Sequence, residues 1–342
     1  MHTGWSPWAS LHMLLSRGHH FFRFLRSQFF VTPPYPTKLW TGKVVIVTGA
    51  NRGLGLEAAR HFVRLGASKV ILAVRDLSLG AKAKHDIETS TARGGIIDVW
   101  QLELSCSTSV KAFAKRATDS LVRLDALVEN AAIATPSFRL AAGGESTVSV
   151  NVVGTFYLAL LLLPKLRITA RTHAGASPHI SVVGSDVIFY TSFPERQATR
   201  IFEHLNDRAA ARMLSRYSVT KLMAAMCVRE LVTRAGDGDP VIVNYVNPGL
   251  CHSDILREAL WPGYALKLFL ARPTEVGGRT LVLASEAGAA SRGRYLSDGN
   301  VEDPPPFLES KEGTETQVRV WNELMEILEK IHPGIRYCVT GE

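Results

Sequence analysis

The stretch Val44–Gly55, reading VVIVTGANRGLG, limits the fold of this chain more than any other. Residues 44–48 are a short β-branched run of the kind that suits a strand buried on both faces. Gly49, Gly53 and Gly55 follow at once, and a helical pattern begins by residue 57. Glycines at a strand exit permit tight turns and close approach, so that backbone N–H groups and a helix N-terminus can face a pyrophosphate. Asn51, Arg52 and Leu54 lie inside this loop, and Arg52 adds positive charge toward a phosphate. No Gly-Lys-Ser/Thr sequence is present, which disfavours an ATP-type phosphate loop, and the Gly49–Gly53 spacing differs from a plain GxGxxG.

Strand and helix signals keep alternating beyond the loop. Strands are expected at 69–74, 96–104, 126–128, 179–183 and 241–246, and helices at 57–65, 79–90, 110–122, 148–166, 217–233 and 274–283. Residues 293–299 read as a strand and turn, and Val318, Trp321, Leu324, Met325 and Leu328 as one face of a terminal helix. This alternation predicts an α/β fold, a single Rossmann-like three-layer domain with a mostly parallel central sheet, plus an N-terminal helical extension. Residues 41–335 are assigned to the domain, 1–40 to the extension and 336–342 to a tail. At 342 residues and 46% hydrophobic, the chain can bury such a core.

The net charge of +8 is unevenly placed. No carboxylate precedes Glu57, whereas Arg17, Arg23, Arg26, Lys38, Lys43 and Arg52 do, and the remainder holds 33 basic residues against 31 acidic ones. A nucleic-acid partner, which needs a broad basic face, is not expected. The extension carries Trp5, Trp8, Phe21, Phe22, Phe24, Phe29 and Phe30, with apolar residues at roughly helical spacing until Pro33, Pro34 and Pro36. Three readings stay open for it: a helix packed on the domain, peripheral contact of residues 1–32 with an intracellular membrane surface, or a mitochondrial targeting peptide. Arg17, Gly18, His19 and His20 interrupt the apolar run, which argues against a secretory signal. Cys106, Cys227, Cys251 and Cys338 form no CxxC spacing, so no metal site is expected, and a reducing compartment, the cytoplasm, fits free thiols.

Candidate chemistry gathers near strand ends. Arg75 directly follows the second strand, where arginine suits a ribose 2′-phosphate and a carboxylate suits the free ribose. This favours NADP(H), with NAD(H) left open by Asp76, itself a candidate helix cap. Tyr217 and Lys221 stand four apart and therefore on one helix face. A phenol is a poor acid or base at neutral pH until a neighbouring cation favours its phenolate. Ser185 follows the 179–183 strand and could hydrogen-bond a carbonyl oxygen. Asn151 lies early in the long apolar helix, where its amide could satisfy the core or hold a proton-relay water. Asn247-Pro248-Gly249 ends a further strand beside the expected ligand crevice.

In this order the motifs resemble the short-chain dehydrogenase/reductase family, and more loosely its retinol-dehydrogenase-like and fungal secondary-metabolism members, over about Trp40 to Ile335. Thr48–Gly55 matches the family's TGxxxGxG loop, Asn130-Ala131-Ala132 its Asn-Ala-Gly, and Pro248-Gly249 its PG motif. Asn151, Ser185, Tyr217 and Lys221 match its Asn-Ser-Tyr-Lys tetrad. Glu103 stands where the family has an aspartate near adenine, and Ala132 replaces a glycine. Ser185 and Tyr217 are 32 residues apart, so the aromatic stretch between them reads as an insertion beside the site.

The resemblance implies reversible hydride transfer between a nicotinamide and a ketone or secondary alcohol, with homodimers or homotetramers common. Tyr217 would be the proton donor, Ser185 would polarise the oxygen, and Lys221 would lower the tyrosine pKa. Asn151 would hold the relay water. The insertion and the apolar run 255–270 read either as a flexible lid over a bulky ketone or secondary alcohol or as a packed helix or interface. The expected partner is a small apolar carbonyl or alcohol molecule, lipid-like or polyketide-like. A lyase, epimerase or dehydratase on the same fold, and a non-catalytic nucleotide-binding protein, are the alternatives.

Overall fold

The computed structural model describes residues 7–141, 144–252, 255 and 270–341. An N-terminal helix α1 (Pro7–Phe30) precedes β1 (Val44–Thr48), α2 (Gly53–Arg64), β2 (Lys69–Val74), α3 (Leu77–Thr91), β3 (Ile97–Gln101), α4 (Ser107–Ser120) and β4 (Ala126–Glu129). A small hairpin, β5 (Leu140–Ala141) and β6 (Gly144–Glu145), leads into the helical run α5 over Ser146–Thr172. Then come β7 (His179–Val183), α6 (Ile201–Leu205), α7 (Met213–Ala235), β8 (Ile242–Asn247), α8 (Thr274–Ala284), β9 (Tyr295–Ser297), β10 (Asn300–Glu302) and α9 (Lys311–Ile331).

The main sheet runs β3-β2-β1-β4-β7-β8-β9-β10, parallel throughout except for β10 against β9. The unbroken apolar runs follow from burial on both faces. In β1, Val44 and Ile46 enter one core with Phe156 and Leu160 of α5, while Val45 and Val47 enter the other with Ala58 and Phe62 of α2. Strand order reverses beside β1, whose neighbours are β2 and β4, and that reversal opens a crevice at the strands' carboxyl ends.

Several elements differ in detail from the sequence pattern. The long apolar helix starts at Ser146 and contains a π-helical segment, Ser149–Gly154, that no apolar periodicity reveals. Among the described residues this run alone is long and apolar enough to cross a membrane, and it is largely buried inside the fold. Only part of the insertion after Ser185 faces the site: Val187 and Tyr190 line the cavity, whereas Phe193 and Phe202 are core residues and not lid. Glu323 of α9 fastens it, accepting from Ile201 N and Phe202 N, each at 3.0 Å. The rest of the expected lid, residues 256–269, lies outside the described residues. The extension packs on the domain through its C-terminal half, where Gln28 bonds Leu250 and Arg272 bonds Ser27 and Val31.

Candidate active site

A cavity of about 770 Å³ opens at the carboxyl ends of β1, β2, β4, β7 and β8. Its wall includes Gly49, Asn51, Arg52, Gly53, Leu54, Arg75, Glu103, Asn130, Ser185, Tyr217, Lys221, Pro248 and Gly249. Of the residues singled out from sequence, Gly55 and Asn151 stand behind this wall rather than in it.

At one end the β1–α2 loop forms a cradle. Gly49 has φ +65°, and a Cβ on Gly55 would lie 2.5 Å from Asn130 Nδ2 and 2.8 Å from Gly49 O. Asn130 braces the loop, donating from Nδ2 to Thr48 O at 2.8 Å, while Thr48 Oγ1 accepts from Asn130 N and Ala131 N at 2.9 Å. The first turn of α2 carries no carboxylate and no side-chain cap, so its N–H groups are suited to an anion. This cradle fits a dinucleotide pyrophosphate.

Arg75 is exposed at the rim, 3.8 Å from Glu103. Asp76 is committed elsewhere as the cap of α3, its Oδ1 accepting from Ser78 N at 2.8 Å and Leu79 N at 3.1 Å. Glu103 accepts from Ser105 N at 3.0 Å and Ser105 Oγ at 2.8 Å.

At the other end, α7 presents Tyr217 and Lys221 to Ser185, the cap residue of the turn after β7. Ser185 N donates to Tyr245 Oη at 3.2 Å, and Tyr245 Oη donates to Lys221 O at 3.2 Å, so one buried phenol ties β7 to α7. Lys221 Nζ donates to Val183 O at 2.6 Å and lies 5.7 Å from the Tyr217 ring centre. Burial brings Lys221 down to about 8. Burial also pushes Tyr217 above its ordinary range, against a hydrogen bond with Ser185.

The expected lowering of Tyr217 by Lys221 is therefore not what the protein alone produces. Burial raises the Tyr217 pKa, the opposing contact is the Ser185 hydrogen bond and not the ammonium, and the Lys221 amine is turned toward a main-chain carbonyl. Burial keeps Tyr217 a neutral phenol in the protein alone.

Asn151 sits in the π-helical segment. Its Nδ2 donates to Ile133 O at 2.9 Å and Thr220 Oγ1 at 3.0 Å, and its Oδ1 accepts from Ile133 N at 2.9 Å. Both amide donors are thus used to lock the cavity wall to α7, leaving none for a relay water.

Three further features carry no sequence motif. Asp186, next to Ser185, lines the cavity; burial raises its pKa, opposed by hydrogen bonds from Tyr295 and Asn247. Glu129 lies beneath the cradle, fully buried, with Thr48 Oγ1 donating to Oε2 at 3.3 Å and no partner for Oε1 among the described residues. Burial pushes its pKa up to about 8. Phe21 and Phe24 of α1 also line the cavity. Helical spacing in the sequence points instead to Phe22 and Phe29, which are exposed, and does not single out Phe21 and Phe24. Taken together, the site can hold a dinucleotide along one arm and deliver a proton to an oxygen at the junction with an apolar arm.

Comparison with known proteins points the same way. The family model for short chain dehydrogenases matches residues 43–190. The short chain dehydrogenase/reductase dmxR8 of Cryptosporiopsis sp. is 47% identical over 319 residues, covering 91% of this chain and 98% of that protein. The short-chain dehydrogenase anuD of Penicillium roqueforti is 43% identical over 323 residues, covering 91% and 84%. Among solved structures, a short chain dehydrogenase from Shigella flexneri matches with a TM-score of 0.56 at 22% identity, over 80% of this chain and 98% of its own. A protein from Escherichia coli CFT073 in complex with NADPH matches with a TM-score of 0.56 at 22% identity, over 76% and 98%. At those identities the structural likeness shows the fold alone.

Proposed function

The chain belongs to the short-chain dehydrogenase/reductase family, and on that footing we propose that it is an NADP(H)-dependent oxidoreductase interconverting a ketone and a secondary alcohol on an apolar substrate. The observation that carries this reading is the convergence of Tyr217, Ser185 and Lys221 on one cavity whose other arm is a dinucleotide cradle. When bound, the nicotinamide cofactor supplies the hydride chemistry. The protein's groups supply orientation and protons.

Tyr217, a neutral phenol at physiological pH, donates its proton to the carbonyl oxygen in the reductive direction. Ser185 orients and polarises that oxygen. Lys221, with its pKa brought down to about 8, is the cation that would hold the cofactor ribose beside Tyr217. Asn151 keeps the Ile133 wall and α7 in register. The NADP(H) preference rests on Arg75 at the rim, beside Asp76, one of whose carboxylate oxygens caps α3. The NADPH complex of the Escherichia coli neighbour is consistent with it.

The test is a panel of ketones assayed by NADPH consumption and product analysis, with wild type and Tyr217→Phe. We expect stoichiometric consumption by wild type and a loss of turnover of about a hundredfold or more in the variant, with NADPH binding retained. Conversion without net cofactor turnover would instead indicate an isomerising or dehydrating enzyme. A Tyr217→Phe variant as fast as wild type would remove the proton-donor assignment.

A further inference from the structure

Helix α1 has two faces with different surroundings. His20, Phe24, Ser27 and Gln28 recur at spacings of three and four and turn toward the domain, while Phe21, at the edge of that face, lines the cavity and is still about half exposed. Phe22, Phe29 and Phe30 lie on the outer side, exposed.

The inner face bridges two segments that each carry cavity-lining residues, Val187 and Tyr190 in one and Leu250 in the other. On one bank, the His20 ring lies 4.4 Å from Phe189, and the Arg23 guanidinium 5.0 Å above the same ring, in the turn that begins after Ser185. On the other bank, Gln28 Oε1 accepts from Leu250 N at 3.1 Å, and its Nε2 donates to Leu250 O at 3.0 Å and Leu270 O at 2.8 Å. One side chain therefore ties Leu250 to Leu270.

The turn is shaped to receive it. Gly249 has φ +76°, and a Cβ there would lie 2.7 Å from Gln28 Oε1 and 2.9 Å from Arg272 Nη1. Arg272, itself buried, donates to Asp298 Oδ1 at 2.6 Å, Ser27 Oγ at 2.9 Å and Val31 O at 3.0 Å. Ser27 Oγ in turn donates to Asp298 Oδ2 at 2.5 Å. Such a buried, multiply bonded seat is more than a leader resting on the surface requires. Between the two banks Phe21 and Phe24 are cavity wall.

We propose that α1 is a working wall of the substrate arm: Phe21 and Phe24 select bulky apolar carbonyl substrates, and Gln28 is a positioning residue for the turn at Pro248, Gly249 and Leu250 that lines that arm. The proposal rests on the carbonyl-oxidoreductase reading of the site and adds its specificity element. Because the two rings offer an apolar surface with no donor or acceptor, they favour flat or branched hydrocarbon around the reacting carbonyl over small polar ketones.

The experiment uses the full chain with NADPH and two probe ketones, a naphthyl methyl ketone and cyclohexanone. Phe21→Ala/Phe24→Ala should raise KM for the naphthyl ketone about tenfold, a cost typical of losing buried aromatic area, and change that for cyclohexanone less than about twofold. Gln28→Leu should raise the naphthyl KM about fivefold with kcat within about twofold, the split that a misplaced turn produces and a loss of folded enzyme does not.

A second readout is independent of turnover. The emission shift of prodan, an environment-sensitive naphthyl ketone, on titration into the NADP+ complex should weaken about tenfold in the double variant. If wild type binds prodan but reduces neither ketone, the reductase reading fails and the wall is still decided by the titration. Equal prodan affinity in wild type and double variant, or an unchanged KM ratio, overturns the wall. Should the double variant not fold, Phe24→Leu alone reads the same ratio and the same titration.

Discussion

Glu129 offers the sharpest physical test of the cradle. Its carboxyl is buried between Thr48 and the sheet with one weak hydrogen bond at 3.3 Å, and burial raises its pKa from an ordinary 4.5 to about 8. In the native state the group holds a proton that the unfolded chain has released. Between those two values the native state binds more protons than the unfolded state, so unfolding free energy falls as pH rises and levels off above the native value. The full gap corresponds to about 5 kcal/mol as an upper bound, and the part falling between about pH 6 and about pH 8 to about 2 kcal/mol. Glu129→Gln keeps the shape and an oxygen for Thr48 but has nothing to ionise. Urea unfolding of both proteins at several pH values is the assay. The difference between the two curves should widen in favour of the glutamine variant by about 2 kcal/mol across that window. Taking the difference cancels the other titrating groups. Parallel profiles would refute the reasoning, since they would mean that Glu129 is solvated or paired in the native protein. The same ionisation should loosen Thr48 and Asn130, so wild-type NADPH affinity should fall with pH more steeply than that of the variant.

Two other perturbations separate neighbouring roles. Arg75→Ala should weaken NADPH binding about fivefold more than NADH binding, a modest figure because the guanidinium is solvent-exposed; equal effects in paired titrations would remove its 2′-phosphate role. Replacing Phe22, Phe29 and Phe30 by serine should lower the fraction of protein floating with anionic liposomes about tenfold or more if the outer face of α1 lies on a membrane. Equal flotation would refute that contact.

The parallel strands were legible because burial on both faces writes β-branched residues without interruption, as in Val44–Thr48 and Lys69–Val74. The ordered placement of Gly49, Ser185, Tyr217 and Lys221 was legible because each stands at a strand end or on the helix that follows. Other features had no local trace. Phe193 and Phe202 have the same composition whether they form a lid or a core, and the residue that decides, Glu323, is more than a hundred positions away. Gln28 belongs to no motif, and its partners are 222 and 242 residues distant. Lys221 could be placed beside Tyr217 by spacing alone, but not its turn toward Val183 O, which depends on how β7 packs under α7. A carboxylate closing the buried run Ala126–Glu129 was the one sign of an unusual group under the cradle.

The two faces of α1 change what a truncation can tell. Removing residues 1–32 would take away the exposed phenylalanines, but also Gln28 and the seat of Arg272, whose guanidinium would keep Asp298 and lose Ser27 and Val31. A buried arginine stripped of partners is costly, so a truncated chain could lose solubility, activity and membrane attachment together for one structural reason. Arg23 is similarly double-edged, since its charge is spent on Phe189 and on Glu302, 3.7 Å away, and cannot be counted wholly toward an anionic surface. Only substitutions confined to Phe22, Phe29 and Phe30 change the outer face while leaving the inner one intact. Activity that survives them alongside lost flotation would assign the two faces to separate tasks. A joint loss would mean instead that the helix needs its outer contact to hold Phe21 and Phe24 in the cavity wall.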